Sequence, residues 1–426
     1  MKEYLYSLLF KYLSFYIRPN NTVCEINPSN DRLIQKFAKG KTAHITDGEC
    51  DIKPFSEDYI ILNSNLHYER DIQLFLNTVH KECRQDSKII VIYYSSLWKP
   101  LMQFASLLKL RSPTQELNWL AHEDIENLLD LASFEIVHKD RKVLIPVWVP
   151  FLSYLVNRFI TPLPFFRSLS LVNIVVARPV GKVQNKFSSA SIIVPARNEA
   201  GNIENAIKRL PKISENDEII FVEGNSTDNT WDKIQEAVAK YNNGRKVIGI
   251  KQDGTGKGDA VRKGFSIAKG DILMILDADL SVAPEDLPKF YDAMIKGKGE
   301  FINGSRLVYP REKKSMRFLN MIANKIFATG FSFLVGQCLK DTLCGTKVLS
   351  RKDYLKLVES RAYFGDFDPF GDFDLIFGSV RLGLKIVEIP VHYHERTYGS
   401  TNIQRWRHGF LLFKMLLFAA LKIKFT

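Results

Sequence analysis

Asp277-Ala278-Asp279 closes the apolar run Asp271-Ile-Leu-Met-Ile-Leu276, so two carboxylates one residue apart stand at the end of what reads as a buried strand. Open α/β sheets bind ligands outside the carboxyl ends of their strands. Two acids placed there can share one hard cation, and Mg²⁺ is commonly held by one or two carboxylates plus substrate phosphates. The same spacing also occurs in ordinary solvated turns, so its meaning rests on the segments around it.

Three segments precede it. Ser191-Ile-Ile-Val-Pro195 reads as a β-branched strand stopped by Pro195, and Arg197, Asn198 and Glu199 follow before a helical pattern through Ile203, Ala206, Ile207 and Leu210. Glu218-Ile-Ile-Phe-Val222 is a second strand leading into Glu223-Gly-Asn-Ser-Thr-Asp228, small residues that suit a close backbone approach to a ligand. Ser226 or Thr227 is the expected cap of the next helix. In Gly254-Thr-Gly-Lys257-Gly-Asp-Ala-Val-Arg262 a lysine sits among glycines ahead of a helix. Backbone N–H groups there, with Lys257 and Arg262, would cradle a diphosphate. The glycine spacing is not that of a Walker A loop, and no Ser or Thr follows Lys257.

With Asn303-Gly-Ser-Arg306, Asp341-Thr-Leu-Cys-Gly345-Thr-Lys347, Gly371-Asp372-Phe-Asp374 and Arg396-Thr-Tyr398-Gly399 in order behind the acidic pair, residues 188–408 resemble a family 2 glycosyltransferase. The likeness is nearest to the polyprenyl- or dolichyl-phosphate mannosyl/glucosyltransferase branch. It implies a nucleotide-diphospho-sugar transferase (GT-A) fold and an inverting transfer from a nucleotide sugar. Mg²⁺ or Mn²⁺ would lie on Asp277 and Asp279, with Pro195, Arg197, Glu199, Glu223 and Asp277 in the nucleotide-sugar site. Two departures stand out: Glu223-Gly224 replaces the usual pair of aspartates, and Thr346-Lys347 follows Gly345 where that branch tends to have an aromatic residue.

Charge then decides the chemistry. Breaking the anomeric C–O bond puts negative charge on the leaving diphosphate, which a divalent cation, Lys257 and Arg262 would stabilise. A lipid-phosphate acceptor is already an anion, and Arg306 and Arg396 are the groups to orient it. A hydroxyl acceptor needs a base, for which Asp372 or Asp374 is the candidate. Asp372 and Asp374 equally suit a helix start, and Arg396 an exposed loop.

The chain's 426 residues exceed one ordinary core, and its net charge of +12 calls for an anionic partner. Nucleic acid is set aside, since no zinc spacing, basic heptad region or RNA-binding aromatic motif is present. Half of the excess, +6, lies between Gly378 and Thr426. There Gly409-Phe-Leu-Leu-Phe-Lys414-Met-Leu-Leu-Phe-Ala-Ala-Leu421 is too short to span a bilayer, which takes about 20 apolar residues. Residues 409–426 are expected to form an interfacial helix, with packing on the enzyme core as the other reading. A second apolar stretch, Val143 to Phe166, is broken by four prolines and by Arg158, and suits burial against a neighbour or a dip into the interface. Five scattered cysteines indicate neither a disulfide framework nor zinc. The opening Met-Lys-Glu-Tyr-Leu shows no cleavage signal, so the expected location is cytoplasmic, on the inner face of a membrane.

Residues 1–180 also alternate strand and helix. Thr22–Ile26, Asp58–Leu62, Lys88–Tyr94 and Leu171–Ala177 read as strands, with a helix through Ile72, Leu76 and Val79. The order resembles a class I S-adenosylmethionine-dependent methyltransferase, which implies a Rossmann-like fold. Where that family has a glycine-rich loop, this chain has Asn27-Pro-Ser-Asn-Asp31, so a domain that has lost its cofactor is expected. The fold class expected overall is therefore α/β, as two doubly wound domains joined through Arg178–Ser189. A catalytically idle scaffold and a bifunctional methyltransferase-glycosyltransferase are the competing functions. The charged set at a strand-end cleft favours a transferase over the scaffold, and the acceptor would be lipid phosphate or a cell-envelope glycan.

Overall fold

The computed structural model describes residues 2–46, 48–52, 54–108, 118–182, 187–242, 244–309, 318–365, 368, 371–394, 398 and 405–426, apart from the side chains of 2, 318–322 and 405–408. Two compact units result: Met1–Val183 with Leu421–Thr426, and Gln184–Ala420.

The first unit runs α1 (Lys2–Leu13), β1 (Val23–Ile26), β2 (Gly40–Ala43), β3 (Ile45–Thr46), β4 (Glu49–Cys50), β5 (Tyr59–Asn63), α2 (Ile72–Glu82), β6 (Lys88–Tyr94), α3 (Lys99–Leu107), α4 (His122–Leu131), β7 (Phe134–Lys142), α5 (Leu152–Leu155), α6 (Pro164–Ser168) and β8 (Val172–Pro179). Its six-stranded sheet has the order β2-β1-β5-β6-β8-β7, with β3 and β4 forming a separate two-stranded pair. Strands β2, β1, β5 and β6 are parallel, while β8 lies antiparallel between β6 and β7. Ile60, Leu62, Ile89, Val91 and Val175 are fully buried, as continuous β-branched and leucine runs in a sheet covered on both faces should be. Strand β7 was not anticipated, because Phe-Glu-Ile-Val-His-Lys-Asp-Arg-Lys is mostly polar; its charges are absorbed by partners such as Lys142 with Asp140 at 3.2 Å.

The second unit runs β9 (Ser189–Ala196), α7 (Ile203–Arg209), β10 (Asn216–Glu223), α8 (Thr230–Tyr241), β11 (Lys246–Lys251), α9 (Lys257–Ile267), β12 (Ile272–Ile275), α10 (Leu287–Ile295), β13 (Phe301–Ser305), α11 (Phe318–Val335), β14 (Lys347–Ser350), α12 (Arg351–Ser360), α13 (Asp372–Arg381), β15 (Ile386–Pro390) and α14 (Arg405–Ala419). The sheet order is β11-β10-β9-β12-β14-β13-β15. Its first four strands are parallel and β14 is antiparallel to both neighbours, so the sheet is mixed. The core is the buried set Ile192, Val194, Phe221, Ile272, Met274 and Val348. Strand β9 passes Pro195 by one residue, with Pro195 still in register with Val222.

Helix α14 packs along α11: a Cβ on Gly330 would stand 2.9 Å from Leu416 Cδ1. Leu412, Met415 and Ala419 are buried, as the packing reading expects, while Phe410, Phe413 and Leu417 remain exposed. The expected run of basic headgroup contacts does not extend to Lys424. That residue is buried within the first unit, 2.9 Å from Asp140, because a buried ammonium needs a carboxylate more than water can compensate. Among the described residues no helix is long and apolar enough to cross a membrane.

Candidate active site

A cleft of about 310 Å³ opens at the carboxyl ends of β9, β10, β11 and β12. Its walls include Pro195 near the end of β9, Arg197 and Glu199 after it, Gly224 after β10, Gln252 after β11, Gly256 and Lys257 at the start of α9, and Asp277 and Asp279 after β12. Six of the nucleotide-sugar and metal residues expected from the sequence are thus in one cavity, brought there by the parallel register of four strands. Glu223 and Arg262 are not in its lining. Glu223 is buried beside it and accepts from the N–H of Ser226 at 2.5 Å.

Asn198 ties the rim together. Its backbone takes the left-handed conformation (φ 56°), its N–H donates to Ser226 Oγ at 3.0 Å, and its Oδ1 accepts from the N–H of Thr227 at 2.8 Å. This is why neither Ser226 nor Thr227 caps a helix: α8 begins later, with Asn229 before its first turn. At the adjacent wall the glycine at 224 leaves space that the Arg197 side chain borders, a built Cβ being 3.2 Å from Arg197 Cβ.

Lys257 is the first residue of α9, and its Nζ lies 2.6 Å from Asp277 Oδ1. Burial pushes the Asp277 carboxyl up, but the Lys257 ammonium outweighs it and holds the group below its ordinary range. The same pairing, with Asp372 contributing, keeps Lys257 charged against the cost of burial. Asp279 is buried, and its Oδ1 accepts from the N–H of Ser281 at 3.0 Å and from Ser281 Oγ–H at 2.7 Å. Both acids face the cleft, which fits a cation that takes its remaining ligands from a diphosphate. Among the described residues no group of three or more His, Cys, Asp or Glu is arranged to hold a metal without such help.

The acceptor-side residues are placed differently. Gly371, with φ 78°, starts α13 against Gly258 of α9, where a Cβ on Gly258 would be 2.9 Å from Gly371 Cα. This glycine contact sets Asp372 near Lys257. Asp372 itself is 3.1 Å from the fully buried Lys347. Asp374 accepts from Arg361 Nε at 2.9 Å, with Nη2 in ion-pair range at 2.8 Å, and its N–H donates to Asp368 at 2.8 Å, a helix-start contact. Arg306 grips Asp341 with two parallel bonds of 2.7 and 2.8 Å. Burial favours the neutral acid, yet Arg306 pushes the Asp341 carboxyl down to about 2. Arg396 lies outside the described residues.

Gln252 and Lys347 were not anticipated as site-forming residues, whereas Gly256 belongs to the glycine turn expected to cradle a diphosphate. Gln252 could have been found from its position, one residue beyond β11, whose carboxyl end lies on the same edge of the sheet as the cleft. Gly345 was quoted but given no role, although no side chain could stand there: a Cβ would overlap Asp277 Oδ2 and Lys257 Nζ.

Fold and site define an α/β domain with a cleft at its strand ends that is lined by Lys257, Asp277 and Asp279. Residues 191–357 match the family model for glycosyl transferase family 2, and the C-terminal half is a family 2 glycosyltransferase domain. The dolichol-phosphate mannosyltransferase of Pyrococcus furiosus is 31% identical over 220 residues, 50% of this chain and 59% of that protein. Glycosyltransferase AglJ of Haloferax volcanii is 28% identical, over 52% of this chain and 69% of that one. The UDP-N-acetylglucosamine–dolichyl-phosphate N-acetylglucosaminyltransferase of Methanococcus voltae is 29% identical, over 53% and 94%. This chain thus spans less than two thirds of the first relative's length. Among solved structures, glucosyl-3-phosphoglycerate synthase from Mycobacterium tuberculosis, in complex with Mn²⁺ and UDP, covers 55% of this chain and 80% of its own at 20% identity and a TM-score of 0.40.

Proposed function

We propose that the second unit transfers a sugar from a nucleotide sugar to a polyprenyl-type lipid phosphate, with inversion at the anomeric carbon. The observation that carries this is the joining of Asp277, Asp279 and Lys257 in one strand-end cleft. Three relatives whose names specify dolichyl or undecaprenyl phosphate acceptors support the acceptor class.

A Mg²⁺ or Mn²⁺ ion bound by Asp277 and Asp279 would neutralise charge on the diphosphate as the sugar leaves. Lys257 already spends part of its charge on Asp277, so Asp279 is the carboxylate on which such an ion leans most. The start of α9 turns backbone N–H groups toward the same anion, where the helix dipole adds to the attraction. Pro195, Arg197, Glu199 and Glu223 border the nucleoside end, and Arg262 supports the phosphate end from one turn along α9.

The pairing of Asp372 with Lys347 and of Asp374 with Arg361 favours an acceptor that needs no base. A carboxylate already engaged by a neighbouring cation is not free to reach a substrate hydroxyl, whereas a lipid phosphate arrives ionised. Arg306 serves as a rigid wall through Asp341, and Arg396 is assigned to the acceptor phosphate. A lipid-phosphate acceptor calls for a peripheral seat on a membrane, to which the exposed Phe410, Phe413 and Leu417 of α14 add only a secondary contact.

For the first unit the reading is a methyltransferase-like domain without its cofactor. Antiparallel β8 between β6 and β7 supports the likeness. At the end of β1 Asn27 (φ 45°) accepts from the N–H of Ile45 and donates to its carbonyl, both at 2.9 Å, filling the turn with protein. Incubating the full chain with a panel of nucleotide sugars, Mn²⁺ and either a polyprenyl phosphate or a glycan acceptor tests the assignment. Label entering the lipid phase supports it, and label entering only the glycan moves the acceptor to a hydroxyl.

A further inference from the structure

The connection from β7 to β8 carries α5, a π-helical turn at Val156–Ile160, and α6. It is built from inside by two buried polar side chains. Asn157 Oδ1 accepts from the N–H groups of Leu144 and Ile145, both at 2.9 Å, and Ser153 Oγ accepts from that of Val149 at 2.6 Å while donating to the Val147 carbonyl at 2.8 Å. Trp98 Nε1 donates to the Leu169 carbonyl at 2.9 Å and so joins the start of α3 to the same surface.

This framework is ordered by its polar interior, and it displays its apolar residues outward. Phe151 is 84% exposed, Phe165 72% and Trp148 60%; on α3, Leu107 is 77% and Phe104 57% exposed. Phe151 also holds a positive φ of 58°, a conformation that is strained for a bulky residue. Aromatic and leucine side chains in such a group exceed what a soluble surface scatters singly.

Basic residues stand on this connection and beside it. Lys142 and Lys424 share Asp140, at 3.2 and 2.9 Å. Arg158 donates to the Phe425 carbonyl at 3.0 Å and Arg167 to that of Lys139 at 2.9 Å. Lys11 stands near enough to Arg158 and Lys142 that, after burial, their charges push its ammonium below the ordinary lysine value.

We propose that this platform, Trp148, Phe151 and Phe165 with Phe104 and Leu107, enters the headgroup region of an anionic lipid bilayer, with Lys11, Arg158 and Arg167 facing the phosphates. Exposed apolar side chains with basic residues on the same connection suit a membrane interface, where aromatic rings and basic residues act together. The first unit is then the membrane seat of the chain, and this rests on that unit alone, independent of the transferase reading.

Flotation of the full chain with phosphatidylcholine vesicles, with and without phosphatidylglycerol, tests it. The wild type is expected to float with the mixed vesicles, less so in high salt, and Phe151→Ser/Phe165→Ser to lower the bound fraction about tenfold. Phe410→Ser/Phe413→Ser, on α14, should lower it less than about twofold on the same grounds. Both pairs are exposed, so an unchanged thermal midpoint confirms that folding is kept. Equal flotation of wild type and Phe151→Ser/Phe165→Ser overturns the proposal, as does failure of the wild type to float. A dimer that this variant dissolves, without vesicle binding, overturns it in favour of a second copy as the occupant. Sugar transfer to a short, soluble acceptor phosphate, followed in parallel, separates its failure from that of the transferase reading.

Discussion

Gly345 lies so close to Asp277 that any side chain on it would overlap the carboxylate and the ammonium of Lys257 behind it. The loop before β14 therefore forms the back of the pair and fixes where both groups point. Gly345→Ala should lower kcat/KM about 100-fold, since displacing a charged group by an ångström costs that order. Steady-state kinetics beside a urea titration checks it; a mutant with wild-type activity would show that the loop yields and that the pair needs no such backing.

Lys347 is fully buried and bridges Asp372 to the same loop. Removing one partner of a buried pair strands the other, at about 3–5 kcal/mol. Lys347→Met is expected to lose that much in chemical denaturation, and the double change Lys347→Met/Asp372→Leu to recover part of it. Additive losses would mean that the two do not interact.

Glu25 on β1 gives the first unit a pH dependence. Burial pushes its carboxyl up to about 7, against the hydrogen bond from Asn63. Between its ordinary 4.5 and that value the folded chain keeps a proton the unfolded chain has lost. Stability should therefore fall as pH rises through this window, by on the order of 3 kcal/mol across it. Thermal midpoints from pH 5 to 8 should show the slope in the wild type and a flatter profile in Glu25→Gln.

Much of the cleft was legible because it is local. Asp277 and Asp279 end an apolar strand, Lys257 opens a helix after glycines, and parallel strands carry such ends to one edge. Long-range pairings were not legible: nothing near Arg306 in the sequence points to Asp341, and Lys347 shows no sign of being buried beside Asp372. Strand β7 was hidden by its charges, and the reach of Lys424 to Asp140 spans 284 residues of sequence. Such contacts are decided by packing and not by period.

Gln252 lines the cleft with a buried Oε1 that has no hydrogen-bond partner among the described residues, its Nε2 being committed to the Gly254 carbonyl at 3.1 Å. An N–H group of the donor's base would satisfy it. Gln252→Leu should raise KM for the nucleotide sugar about five- to tenfold with kcat little changed, the worth of one hydrogen bond. Unchanged KM would place the base elsewhere.

The most direct test of the strand-end cleft as the donor site is nucleoside diphosphate release from nucleotide sugars in the presence of Mn²⁺ and a polyprenyl phosphate, measured for the wild type and Asp279→Asn together. Acceptor-dependent release that chelator abolishes, and that falls at least about 100-fold in Asp279→Asn at an unchanged thermal midpoint, is the expected result. Full activity in Asp279→Asn, or release indifferent to chelator, would contradict it.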